Sequence, residues 1–136
     1  MIVVDPNNVE LSESWQEEDE SARWRSGPGH SPSSGAKDSG SSLLEVQPGR
    51  RLPRHTDSAE ETIVVLAGTA EVTVGKERCR LPAGGLAVVP KLVGHEVRNA
   101  GDDALRFVAL YAEPDVVTTY ERVVHPDGSA ERHTIN

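Results

Sequence analysis

The feature that most constrains this chain is a succession of short Val-, Ile- and Thr-rich segments, each closed by glycine or proline. No helical period runs through them. Segment 61–74, Glu-Thr-Ile-Val-Val-Leu-Ala-Gly-Thr-Ala-Glu-Val-Thr-Val, predicts two strands hinged at Gly68. Gly75-Lys76 places glycine first in a two-residue turn, which suits a type II′ hairpin into a strand over 77–81. Pro82–Gly85 reads as a loop, Leu86–Val89 as a short buried strand, 95–98 as a strand and Leu105–Tyr111 as a longer one. Ser42–Val46 precedes them and stops at Pro48-Gly49. Short strands about ten residues apart with such turns predict an all-β barrel or sandwich.

Charge divides the chain in the same place. Residues 43–112 carry nine acids and nine bases, so all of the net charge of −8 lies in the flanks. Three parts follow: an N-terminal arm with short strands, partly flexible, over 1–42; the barrel over 43–112; and a C-terminal hairpin over 113–136. Residues 12–42 hold ten serines and four glycines, the composition of a solvated segment, yet also both tryptophans, Trp15 and Trp24. Ala22–Arg25 is a candidate strand there. The hairpin pairs Glu121–His125 with Ala130–Ile135 across Pro126-Asp-Gly-Ser129 and needs a surface to lie against. A neighbouring subunit is one candidate, which gives the expectation of a homodimer.

Several classes are excluded. No apolar run approaches the ~20 residues of a membrane helix. Asp5 and Pro6 interrupt the opening apolar residues, which predicts no signal peptide. Cys79 is the only cysteine, so intrachain disulfides and multi-cysteine zinc sites are impossible. An acidic chain without a basic stripe is a poor partner for nucleic acid. The expectation is a soluble cytoplasmic protein that binds neither nucleic acid nor membrane.

Of the five histidines, His55 and His95 lie in the apolar middle. On an extended segment His55, Asp57 and Glu61 share one face, and that face continues as Ile63 and Val65. Carboxylates turned into an apolar interior need a cation or a full set of hydrogen bonds. With His95 they compose a borderline-to-hard divalent metal site for Fe, Mn, Ni, Co or Zn. By spacing alone, salt-bridged surface groups are the better account of the pattern. His30, His125 and His133 read as loop or hairpin residues, and Glu60 as an outward neighbour of Glu61. Arg50, Arg51 and Arg54 read either as a solvated loop or as the rim of a barrel mouth. Cys79 reads as a small apolar residue. Phasing from His95 turns Arg98 outward and leaves Arg106 open. The aromatic candidates for stacking on a ligand are Trp15, Trp24, Phe107, Tyr111 and Tyr120.

Residues 49–68 resemble the first motif of the cupin superfamily: Gly49, five residues, His55-Thr56-Asp57, three residues, Glu61, six residues, Gly68. Residues 84–99 resemble the second: Gly84, Pro90, His95 and Asn99 at the family's spacing. The resemblance implies a double-stranded β-helix, or jelly-roll barrel, with extra terminal strands, often dimeric. It implies metal ligation by His55, Glu61 and His95, with Asp57 where the family has its second histidine. Asp57 either ligates through oxygen and favours a harder ion, or falls short and leaves a triad of two histidines and Glu61, or marks a site that has lost its metal. The second motif also departs from the family at Gly85, often Asp, and at Leu92, often Gly.

The resemblance admits a metal-dependent enzyme on a small molecule, leaning to a dioxygenase-like oxidoreductase, with Asp57 or Glu61 as general base if not bound to metal. The alternatives are a metal-dependent isomerase or lyase, and a binding or sensor protein for a sugar or small acid without turnover.

Overall fold

A computed structural model gives the structure of residues 1–133. The strands in chain order are β1 (Ser12–Gln16), β2 (Asp19–Pro28), β3 (Gly40–Val46), β4 (Arg51–Asp57), β5 (Glu61–Ala67) and β6 (Ala70–Val74). Then come β7 (Glu77–Leu81), β8 (Leu86–Val89), β9 (His95–Asn99), β10 (Leu105–Tyr111), β11 (Val117–Val124) and β12 (Ser129–His133). Among the described residues there is no α-helix, only a 3-10 turn at Pro32–Ser34. The sheet runs β7-β6-β9-β4-β2-β3-β10-β5-β8 and curls into a nearly closed jelly-roll barrel. Among the described residues no helix is long and apolar enough to cross a membrane.

Alternation packs the barrel. On β5 the inward side chains Glu61, Ile63 and Val65 are buried, and on β10 so are Leu105, Phe107, Ala109 and Tyr111. Burying one such large apolar side chain stabilises the fold by about 1.5–3 kcal/mol. Gly68 makes the hinge between β5 and β6 at φ 81°, and a Cβ there would lie 2.7 Å from the Ala104 carbonyl oxygen. No other residue combines that backbone with that approach.

β2 sits between the two halves of the barrel. Residues 25–28 pair with β3, and Ala22 makes one parallel bridge to Arg51 of β4. Trp24 on this strand is buried. The C-terminal hairpin lies on its own barrel, with β11 residues 118–120 paired to β4. The predicted hairpin strand Ala130–Ile135 runs past His133 into residues outside the described ones.

One strand differs from expectation. Val89 of β8 is buried, but Leu86 is 58% exposed and Val88 53%. β8 is an edge strand with β5 as its one neighbour, so only alternate residues reach the interior. A continuous apolar run does not reveal whether its outer face is covered.

Candidate metal centre

β4, β5 and β9 deliver the four polar residues to one point inside the barrel. His55 and His95 sit directly opposite each other in the β4–β9 pairing. Pro53 brings no N–H to that ladder, and the register shifts between Leu52 and His55. Leu52 and Pro53 are both buried in consequence, and the inward phase restarts at His55 and Asp57. A three-residue loop then carries the chain to Glu61 at the head of β5.

One ligand atom from each of His55, Asp57, Glu61 and His95 lies within 4.8 Å of the others, and all four residues are buried. His95 Nε2 is 2.9 Å from Glu61 Oε1 and 3.1 Å from Asp57 Oδ2, and His55 Nε2 is 3.7 Å from Asp57 Oδ2. Ligands that surround one ion at ~2.1 Å lie about 3 Å apart when cis, so the spacing suits a single divalent ion. The tautomers agree. His55 Nδ1 is 2.7 Å from the Pro53 carbonyl oxygen and His95 Nδ1 is 2.9 Å from that of Val93. A carbonyl only accepts, so each Nδ1 carries a hydrogen and Nε2 is the ring atom turned inward, the one available to an ion. Asp57 Oδ2 is buried with no hydrogen bond, although His95 Nε2 is near it. Two imidazole nitrogens and two carboxylate oxygens thus converge on one buried point, and the cluster is suited to a metal ion.

The protein's own charges are strongly perturbed there. Burial opposes charge on His95, but its close contacts with the Asp57 and Glu61 carboxylates outweigh it and raise its pKa to about 10. Burial and then repulsion from His95 lower His55 to about 4. Burial raises Glu61 to about 7, with the charge of Asp57 adding to it against the pull of His95. Burial would raise Asp57 too, but His95, His55 and Thr118 bring it down to about 2.

Beside the cluster lies a cavity of about 340 Å³ whose wall includes His55 and Glu61. Trp24, Tyr111 and Tyr120 supply its rings, and Arg132 stands with it as a cation. Tyr120 lies 5.0 Å from the His55 ring and 5.4 Å from the Trp24 ring, between centroids. Thr118 Oγ1 donates to Asp57 Oδ1 at 2.6 Å. Thr118 and Arg132 went unremarked in the sequence, because nothing local marks a threonine or an arginine on a hairpin as reaching the surroundings of His55 and Asp57, over 60 residues away.

Other candidates fall elsewhere. Phe107 is core, and Trp15 stacks on His125 outside the cavity. His30 is held between Ser39 and Ser41, while His133 reaches the cavity wall and pairs with Glu131. Arg50 donates to the Glu20 carbonyl, Arg51 pairs with Asp19 and Glu96, and Arg54 faces Glu121; none of them lines the cavity. Arg98 points outward to Glu71 as phased, and Arg106 reaches Asn7 and the Pro6 carbonyl. Glu60 and Cys79 are exposed.

Residues 42–111 match the Cupin domain family. The chain belongs to the cupin family. Its jelly roll resembles that of Lactobacillus farciminis oxalate decarboxylase in its formate complex, at 24% identity and TM-score 0.66, over 79% of this chain and 32% of that one. Oxalate decarboxylase from Bacillus subtilis is similar at 25% identity and TM-score 0.63, over 73% and 27%. The cupin domain of Schizosaccharomyces pombe Cnp3 is similar at 19% identity and TM-score 0.65, over 80% and 72%. The chain spans about a third or less of the oxalate decarboxylases it matches. No curated protein matches it.

Proposed function

We propose that this cupin is a divalent-metal-dependent enzyme acting on a small acid held in the cavity above His55 and Glu61. The observation that carries this reading is the convergence of four buried ligand atoms from His55, Asp57, Glu61 and His95. Two nitrogens and two carboxylate oxygens suit Mn(II) or Fe(II) by ligand hardness. When bound, the ion supplies Lewis-acid polarisation of a carbonyl or carboxylate and, for iron or manganese, one-electron chemistry.

The protein's own residues do the rest. Glu61 lines the cavity beside His55, so the anionic ligand it offers the ion also faces a bound acid. Tyr111 and Tyr120, both raised in pKa by burial, stay neutral and wall the ligand from water. Arg132 on the hairpin, its guanidinium held by Asp127 and Ser14, adds a positive group to the wall that an anionic ligand meets. Likeness to the Bacillus subtilis oxalate decarboxylase supports carbon–carbon cleavage over the dioxygenase-like oxidation that open metal positions also admit. A second reading, ligand binding without metal, has its own support: a protonated His95 lies within ion-pair distance of both carboxylates.

Elemental analysis of protein purified without added metal separates the two. The enzyme reading expects near-stoichiometric Mn or Fe, lost in a His55→Ala/His95→Ala variant. It also expects free metal at a hundred times Kd to stabilise the fold by about 2.7 kcal/mol. A wild type that takes up none of Mn, Fe, Co, Ni or Zn defeats it. The homodimer we propose uses the outer face of β5, β8 and β10, where Leu66, Leu86, Val88 and Leu110 are exposed. A monomer by sedimentation at micromolar concentration contradicts it.

A further inference from the structure

We propose that Thr118 is the positioning residue that makes Asp57 usable as a metal ligand, so that the C-terminal hairpin is a working part of the centre. Thr118 lies outside the span that matches the family, and nothing in the two motifs points to it. The inference rests on the metal-binding reading above.

The argument starts from the side chain that stands at position 57. An imidazole in a site of this kind is oriented by its own second nitrogen, as His55 and His95 are by the Pro53 and Val93 carbonyls. A carboxylate has no N–H to spend in this way. It carries two equivalent oxygens on a torsion with a broad, two-fold profile, so nothing intrinsic decides which oxygen faces the centre or at what tilt. Asp57 therefore needs an external donor on one oxygen.

The structure provides it. β11 pairs with β4 so that Thr118 lies opposite Asp57. Thr118 Oγ1 donates to Asp57 Oδ1 at 2.6 Å, in a place where Asp57 is 2% exposed and Thr118 8%. Asp57 Oδ2 is left without a hydrogen bond, 3.1 Å from His95 Nε2 and 3.7 Å from His55 Nε2. The backbone is held on both sides of this contact. Leu92 N–H donates to the Asp57 carbonyl at 2.8 Å, Ser58 N–H to the Val117 carbonyl at 3.0 Å, and Val117 N–H to Ser58 Oγ at 2.9 Å. One oxygen is anchored and one is presented, which is the arrangement of a monodentate ligand. Thr118 thus replaces, from another strand, the orientation that a histidine obtains from its own ring.

This makes the role of Thr118 conditional on aspartate at position 57, and a double-mutant cycle reads that condition directly. The measurement is Mn(II) affinity, from the free-ion signal in electron paramagnetic resonance, for the full-length wild type, T118V, D57H and D57H/T118V. T118V is expected to weaken Mn(II) binding 10- to 100-fold and to change the zero-field splitting of the bound ion. T118S, which keeps the hydroxyl, should return affinity to within about threefold of wild type, while D57H and D57H/T118V should agree within about threefold. If T118V unfolds, T118A and T118S carry the same comparison. A T118V protein with wild-type affinity and spectrum overturns the proposal while leaving the metal reading intact. So does an equal loss in the Asp57 and D57H backgrounds, which would mark a packing role of the hairpin. A wild type that binds no Mn(II), while D57H does, overturns the metal reading and this proposal together.

Discussion

The two ends of the barrel interior are built from the same strands and the same inward faces, yet carry opposite chemistry. At one end β4, β5 and β9 turn His55, Asp57, Glu61 and His95 inward; two residues further along, β5 and β9 turn Ile63 and Val97, both fully buried. The apolar end, completed by Val65, Val72, Leu105 and Phe107, is where burial stabilises the fold. The polar end costs desolvation, which His95 and the hydrogen bond from Thr118 only partly offset. One end holds the chain together, and the other is poised to receive a cation.

The sharpest way to break this division is Phe107→Ala at the apolar end. It should cost about 3–5 kcal/mol in urea unfolding, through lost burial and the cavity left behind. Metal affinity of the remaining folded protein should stay within about threefold, since Phe107 lies outside the cluster. A parallel collapse of affinity would show that the two ends are not separable.

Glu61→Gln tests the other end, and its two effects should have opposite signs. Metal affinity should fall about 100-fold, or ~2.7 kcal/mol, on loss of an anionic ligand. The metal-free protein should become more stable by about 1–2 kcal/mol at pH 8. There the sign follows from a pKa raised by burial and Asp57 to about 7: ionising Glu61 above its unfolded value of 4.5 works against folding, and glutamine never ionises. Chemical denaturation of the chelated protein measures the second effect, and a destabilised variant would contradict the division.

The pH dependence isolates His95. Its folded pKa of about 10 exceeds the unfolded 6.5, so its stabilisation is complete below pH 6.5 and is lost as pH rises toward 10. Melting of metal-free protein from pH 7 to 10 should show a falling Tm that His95→Gln flattens. Metal-loaded protein should lack this slope, because a bound ion keeps His95 unprotonated at the start of the window. An unchanged slope in His95→Gln would place the linked proton elsewhere.

The smallest expected effect lies beside the polar end. Leu92 has φ 64°, where the cupin pattern often has glycine, and its N–H holds the Asp57 carbonyl. Leu92→Gly should relieve the left-handed penalty of ~1–2 kcal/mol, less the ~0.5–1 kcal/mol of extra freedom glycine has when unfolded. A net gain of about 0.5 kcal/mol in denaturation experiments is expected, with metal affinity unchanged. A loss would mean that the exposed leucine side chain contributes contacts of its own.

Much of this was legible in the sequence. Turn residues and two-residue alternation located β5, β6, β7 and β10, and the resemblance to the two cupin motifs set out the cluster of His55, Asp57, Glu61 and His95. Those signals are local, because a strand turns alternate residues to one face whatever surrounds it. The same locality left Leu86 and Val88 misjudged as buried, since burial depends on whether another layer covers the face. It also left open whether Arg50, Arg51 and Arg54 rim the barrel, which their partners on β2, β9 and β11 decide.

By itself, then, the sequence determined an all-β chain with two histidines and two carboxylates on inward phases. Only the tertiary structure decided how the cluster is completed. Thr118 reaches Asp57, and Tyr120 reaches His55, through sheet pairing between strands some 60 residues apart. Trp24 comes from the other flank, on a strand inserted between β3 and β4. The physical reason is that side-chain phase is set by neighbouring residues, whereas register between distant strands is chosen by the whole barrel as it closes around its core.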